Sequence, residues 1–142
     1  MNVAWAKGWL RSFSGTDTEE LLAMYADGAR FEDVTLGHTV RGKLKLRPFF
    51  AAFVDPSARR NTFTVREYCG SPSAGAVEWK WRAQHVADFM GIPAAGKETT
   101  VRGVSVVTFR RGKVVTQHDY WDARGLIHQL TARSAKRARV GA

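Results

Sequence analysis

A single cysteine, Cys69, stands among the 142 residues, so no disulfide can close within the chain and a reducing compartment suits it. Gly-Ser-Pro follows that cysteine, with no helix start to acidify the thiol, so a structural, inert role is expected. No apolar run approaches the about 20 residues that a membrane helix needs. The opening MNVAWAKGWL lacks the apolar heart of a signal peptide. No Gly-rich phosphate loop follows a strand, and no His, Cys or acidic residues cluster at metal-ligand spacing. With only four prolines, no linker and no repeat, residues 1–142 read as one domain. The expectation is a cytoplasmic protein with neither metal nor cofactor, and without membrane contact.

Acidic residues are also scarce, 13 against 22 Lys and Arg, for a formal charge of +9. The excess is scattered. Arg133, Lys136, Arg137 and Arg139 lie in a tail from about residue 131, expected to be flexible. Arg41, Lys43, Lys45 and Arg47 form a second group, and Arg110, Arg111 and Lys113 a third. No zinc spacing, helix-turn-helix or RNA-binding aromatic motif accompanies them, so no nucleic-acid partner is expected.

What the chain does have is hydrophobic residues, 44% of the total, and 11% aromatics, enough for a core with a pocket in it. Trp5, Trp9, Leu10 and Phe13 recur at helical spacing. Thr16 with Glu19 and Asp17 with Glu20 form capping-box pairs. They predict a second helix carrying Leu21, Leu22 and Tyr25 and ending at Gly28. Ala29 to Val34 reads as a strand, Thr35 to Gly42 as a loop. A third helix bears Leu46, Phe49, Phe50 and Phe53, with Pro48 tolerable in its first turn. From Asn61 the period becomes two. Strands follow over Asn61 to Glu67, Ala76 to Gln84, Thr99 to Phe109 and Val114 to Tyr120. A three-residue turn at Arg110-Arg111-Gly112 joins the last two. Asp122 caps a final helix with Leu126, Ile127 and Leu130 inward. Helices first and hairpin-linked strands later predict an α+β domain, a curved sheet wrapped over helices around a concave apolar mouth.

Alternation puts Phe31 and Asp33 on one face of the first strand. A carboxylate beside an aromatic is costly to ionise without partners, which suits a general base near neutral pH; the alternative is an Asp that caps the following loop. On the last strand Gln117, Asp119 and Trp121 share a face. Asp119 reads either as a pocket acid or as an arginine's salt-bridge partner. Two carboxyls on one cavity would divide acid and base roles. His85 shares a face with Trp79, Trp81 and Ala83, as a proton carrier or as a hydrogen-bonded wall residue. Trp9, Phe31, Trp79, Trp81 and Trp121 either line a flat pocket for a hydrophobic ligand or fill an ordinary core.

Three stretches carry a family resemblance. Met24-Tyr25-Ala26-Asp27-Gly28-Ala29-Arg30-Phe31-Glu32-Asp33 is similar to the ketosteroid isomerase signature. Gly91-Ile92-Pro93-Ala94-Ala95-Gly96-Lys97 resembles the G-I-P-x-x-G-[KR] turn of SnoaL-type polyketide cyclases. Asp119-Tyr120-Trp121-Asp122, with Gly112-Lys113-Val114 before it and Leu126 and Gln129-Leu130 after, resembles those cyclases and limonene epoxide hydrolase. The resemblance to this SnoaL-like, nuclear-transport-factor-2-like superfamily runs from Trp9 to Leu130. It implies a cone-shaped α+β barrel with a buried pocket, paired as a homodimer through the outer sheet face. It further implies a cofactor-independent cyclase, isomerase, lyase or hydratase acting on a hydrophobic small molecule, with Asp119 as general acid/base and Asp33 as a second carboxylate. His85 and Ser105 would be polar aids, and Gln117 a ligand contact beside the aromatics. Trp9 stands where the isomerases carry an oxyanion tyrosine, and Ser105 where they carry a protonated aspartate. A non-catalytic binding protein using the same pocket is the alternative, and an accessory subunit pairing through an open sheet is a third reading.

Overall fold

The computed structural model describes residues 2–132, so the basic tail lies outside the described residues. Helix α1 (Val3–Ser14) begins where the Asn2 side chain accepts the Trp5 N–H at 3.0 Å. It buries Ala6, Trp9, Leu10 and Phe13 along one stripe. Helix α2 (Thr18–Leu22) is a single short turn capped by Asp17 alone, whose Oδ1 accepts from the backbone of Glu19 and Glu20.

The expected second helix does not reach Gly28. Strand β1 (Tyr25–Asp33) begins at Tyr25, paired in parallel with Val114. Tertiary pairing overrides local propensity there: the strand gives the buried Tyr25 phenol hydrogen-bond partners, Trp9 and Gln117. The expected loop also contains a short strand, β2 (His38–Arg41), antiparallel to β1.

Pro48 is the sixth residue of α3 (Lys43–Val54), not part of its first turn. It frees the Leu44 carbonyl, but Leu44 and Pro48 both lie on the exposed side, where water can replace the lost bond. The buried stripe is Leu46, Phe50 and Val54. Buried Arg59 and Asn61 donate to the Phe53 carbonyl at 2.7 and 3.1 Å, tying the end of α3 to the sheet.

Strands β3 (Arg59–Gly70), β4 (Ala74–His85), β5 (Glu98–Arg110) and β6 (Lys113–Trp121) complete a sheet of order β2-β1-β6-β5-β4-β3. All pairs are antiparallel except β1 with β6, and β2 and β3 remain unclosed edges. The β5–β6 turn has two residues, not three. Arg110 pairs with Lys113. Arg111 and Gly112 both take positive φ, 52° and 76°, as the twist of a two-residue hairpin demands.

Helix α4 (Ala123–Thr131) starts at Asp122, which accepts the Gly125 N–H at 2.8 Å. Leu126 and Leu130 are buried, whereas Ile127, expected inward, is exposed. Gln129 exchanges two hydrogen bonds with the Thr100 backbone, holding α4 against β5. No helix among the described residues is long and apolar enough to cross a membrane.

Candidate active site

The mixed pairing of β6 builds the site. In parallel register with β1 it sets Phe31 beside Gln117 and Asp33 beside Asp119. In antiparallel register with β5 it sets Ser105 beside Asp119. Asp33, Asp119 and Ser105 therefore form one row across three strands. Rings from α1, α3, β3 and β4 close over this row and leave a cavity of about 260 Å³. Eleven of its lining residues are aromatic, and four are polar: Asp33, Ser105, Gln117 and Asp119. The expected ligand contacts Trp9, Phe31, Trp79, Trp81, Gln117 and Trp121 all lie in its wall.

Depth runs along the strands. Gln117 and Trp9 are 1% exposed, Asp119, Asp33 and Trp121 are half-buried, and Leu36 and Met90 at the rim are 46% and 44% exposed. Met90 and Gly91 form a tight turn, both with positive φ, between mutual Phe89 and Ile92 backbone bonds. That turn sets Phe89 into the wall and Met90 at the mouth.

Every indole N–H facing this region has a polar partner. Trp9 donates to Tyr25 Oη, Trp79 to Ser105 Oγ, Trp81 to Asn61 Oδ1, and Trp121 to both Asp33 oxygens. The rings thus offer a ligand apolar surface. Asp33 also accepts the Leu36 N–H at 2.9 Å, so it caps the β1–β2 loop and lines the cavity at once.

Asp119 makes no salt bridge among the described residues. Its Oδ1 accepts from Ser105 Oγ at 2.6 Å and Gln117 Nε2 at 3.0 Å. Burial raises its pKa to about 7, helped by the nearby Asp33 charge and opposed by the Ser105 and Gln117 hydrogen bonds. A carboxyl poised there is half-protonated near neutrality and serves as acid or base.

His85 does not line the cavity. It ends β4 opposite Arg59, behind the Phe89 ring, with Nε2 2.9 Å from Thr99 Oγ1. Burial, aided by the Arg59 charge, lowers its pKa below 6.5. It is a residue behind the wall whose neutral form is favoured beside the Arg59 cation. The unfolded chain takes up a proton near pH 6.5 that folded His85 refuses, so the His85 contribution to stability falls as pH drops below about 6.5. Chemical denaturation at pH 7.5 and 5.5 is expected to show the stability of the wild type relative to His85→Gln decreasing at the lower pH.

Sequence reasoning passed over several wall residues. Phe49 and Phe53 were readable as a second stripe of α3, four residues apart. Phe89 and Met90 were hidden in a loop, and Tyr25, not itself a lining residue, read as part of a helix, because its strand pairing comes from β6.

The pattern described as a SnoaL-like domain matches residues 6–117. No curated protein matches the chain. Among solved structures, a protein of Shewanella denitrificans described as a SnoaL-like polyketide cyclase is 16% identical, with TM-score 0.81, covering 92% of this chain and 97% of its own. A Silicibacter protein described as a polyketide cyclase is 22% identical, with TM-score 0.79 and coverages of 92% and 95%. A Catenulispora acidiphila protein with a ketosteroid isomerase-like fold, in complex with trimethylamine, is 16% identical, with TM-score 0.74 and coverages of 88% and 90%.

Proposed function

Because the chain belongs to the SnoaL-like domain family, we propose that it is an acid/base enzyme acting on a hydrophobic small molecule, by cyclisation, isomerisation or hydration. Asp119 is the general acid/base. One observation carries the reading: a carboxyl with proton affinity near neutrality borders an aromatic-walled cavity, beside a second carboxyl. The aromatic wall supplies non-directional binding, and the polar row supplies orientation. Asp33, fixed by the Trp121 N–H and the Leu36 N–H, is the second carboxylate. It accepts or returns a proton while Asp119 manages the other. Ser105 and Gln117 hold Asp119 Oδ1 and border the cavity beside it. His85 stands behind the wall, outside the cavity, and this reading gives it no part in proton transfer.

Native mass spectrometry of the purified protein identifies the co-purified compound or its analogue. Turnover of that compound is then compared between wild type and Asp119→Asn. Lost turnover with retained binding supports the enzyme. Retained turnover overturns the role of Asp119. Binding with no turnover in either protein leaves a ligand-binding protein.

We also propose pairing of two copies through the outer sheet face, where Val106 and Tyr120 stand exposed on β5 and β6. Val106→Lys with Tyr120→Lys is expected to convert a dimer to a monomer by light scattering, with the far-UV circular dichroism unchanged.

A further inference from the structure

Two hydrogen-bond chains meet at Asp119, and each begins at a group that can only donate. An indole has an N–H and no acceptor. In the first chain Trp9 Nε1 donates to Tyr25 Oη at 3.1 Å, so the Tyr25 O–H turns to Gln117 Oε1. That fixes the Gln117 amide with its NH₂ toward Asp119 Oδ1, at 3.0 Å. Burial holds the Tyr25 pKa well above its ordinary value, so its phenol remains a neutral donor. In the second chain Trp79 Nε1 donates to Ser105 Oγ at 2.9 Å, and the Ser105 O–H turns to the same Asp119 Oδ1, at 2.6 Å.

Oδ1 thus faces two hydrogens and has no room for a third. Oδ2 accepts no hydrogen bond among the described residues, yet it is not one of the buried unpartnered atoms. It therefore meets open space, and the space that Asp119 borders is the cavity.

We propose that Trp9, Tyr25 and Trp79 are positioning residues that set the direction of both chains and hold the Asp119 proton on Oδ2, where it faces the ligand. The inference rests on the reading of Asp119 as the acid. The site then presents an O–H donor to an entering oxygen acceptor. When that proton leaves, the charge remains under two donors aimed at Oδ1. The groups that ionise around Asp119 are Asp33 and Tyr25, both on β1. The walls from α1, α3, β4 and β5 bring no ionisable side chain to the cavity.

The test uses the ligand-free protein. Asp119 is titrated through its carboxyl ¹³C shift, assigned by the signal lost in Asp119→Asn. Tyr25→Phe removes the donor that orients Gln117, so the amide can turn its oxygen to Asp119 and Oδ1 must take the proton to meet it. The Asp119 midpoint is expected to rise by about one unit. A purely structural role lowers the unfolding temperature and leaves the midpoint in place. An unmoved or lowered midpoint in folded Tyr25→Phe overturns the proposal. A second measurement needs no change at Tyr25: the infrared difference between wild type and Asp119→Asn at pH 5 isolates the protonated carboxyl. Its C=O stretch is expected at the low frequency of a carbonyl accepting two hydrogen bonds. The frequency of a free carbonyl overturns the proposal. Neither readout involves turnover, so failure here is separate from failure of the enzyme reading.

Discussion

Asp119→Asn is expected to cut turnover by orders of magnitude and, at alkaline pH, to make the protein more stable. Asparagine keeps Oδ1, so the Ser105 and Gln117 donors keep their acceptor. What disappears is the group that ionises. A proton-transfer residue contributes roughly 10²- to 10⁴-fold to rate, and the variant is expected to lose that much. The stability effect follows from linkage. Folded Asp119 has a pKa of about 7 against 3.8 for an ordinary Asp. Between those values the folded protein binds the extra proton, so the Asp119 contribution to stability falls as pH rises. Below about pH 4 both states are protonated and wild type and variant are expected to match. Above pH 7 the burial of the charge is fully expressed, at a cost on the order of a few kcal/mol. Urea denaturation of both proteins at pH 4.5, 6 and 8 checks this. A stability difference that does not grow with pH overturns the buried-acid account.

Gly103→Ala is expected to destabilise the protein, although alanine is ordinarily the better residue in a strand. Gly103 pairs with Trp79 on β4 and Trp121 on β6. A Cβ there would overlap the far edge of the Trp79 ring, with Cζ2 at 2.7 Å, and would lie 2.8 Å from the Trp121 Cβ. The Trp79 ring cannot swing away freely, because its N–H is bound to Ser105 and its body is buried. Overpacking of this kind costs about 1–3 kcal/mol. Displacing the ring also takes from Ser105 Oγ the donor that orients its O–H toward Asp119. Gly103→Val is expected to cost more. Denaturation midpoints together with tryptophan fluorescence check both effects. An Ala variant as stable as wild type with unchanged fluorescence would falsify the claim that the missing side chain makes room for Trp79.

The site was legible in the sequence where a face was set by alternation alone. Gln117, Asp119 and Trp121 share a face because they lie two apart on one strand, and Trp79 with Trp81 follow the same rule. The same alternation placed His85 on the inner face of β4. There it misled, since a shared face does not say how far along the strand the cavity extends; His85 sits beyond it, against Arg59. Ile127 misled for a similar reason. Helical spacing allows three residues inward, but only Leu126 and Leu130 meet the sheet.

Local pattern by itself determined the α+β class, the two carboxyl-bearing faces and the aromatic content of the wall, because each depends on spacing within one element. Only the tertiary structure decided that Tyr25 begins a strand, that Asp33 and Asp119 stand in one register, and that Ser105 completes their row. Those facts need β1 and β5 on either side of β6, contacts between residues up to 92 positions apart. Direction in the Asp119 network is likewise tertiary: an indole donates from whichever strand or helix carries it, and folding alone chooses what it faces.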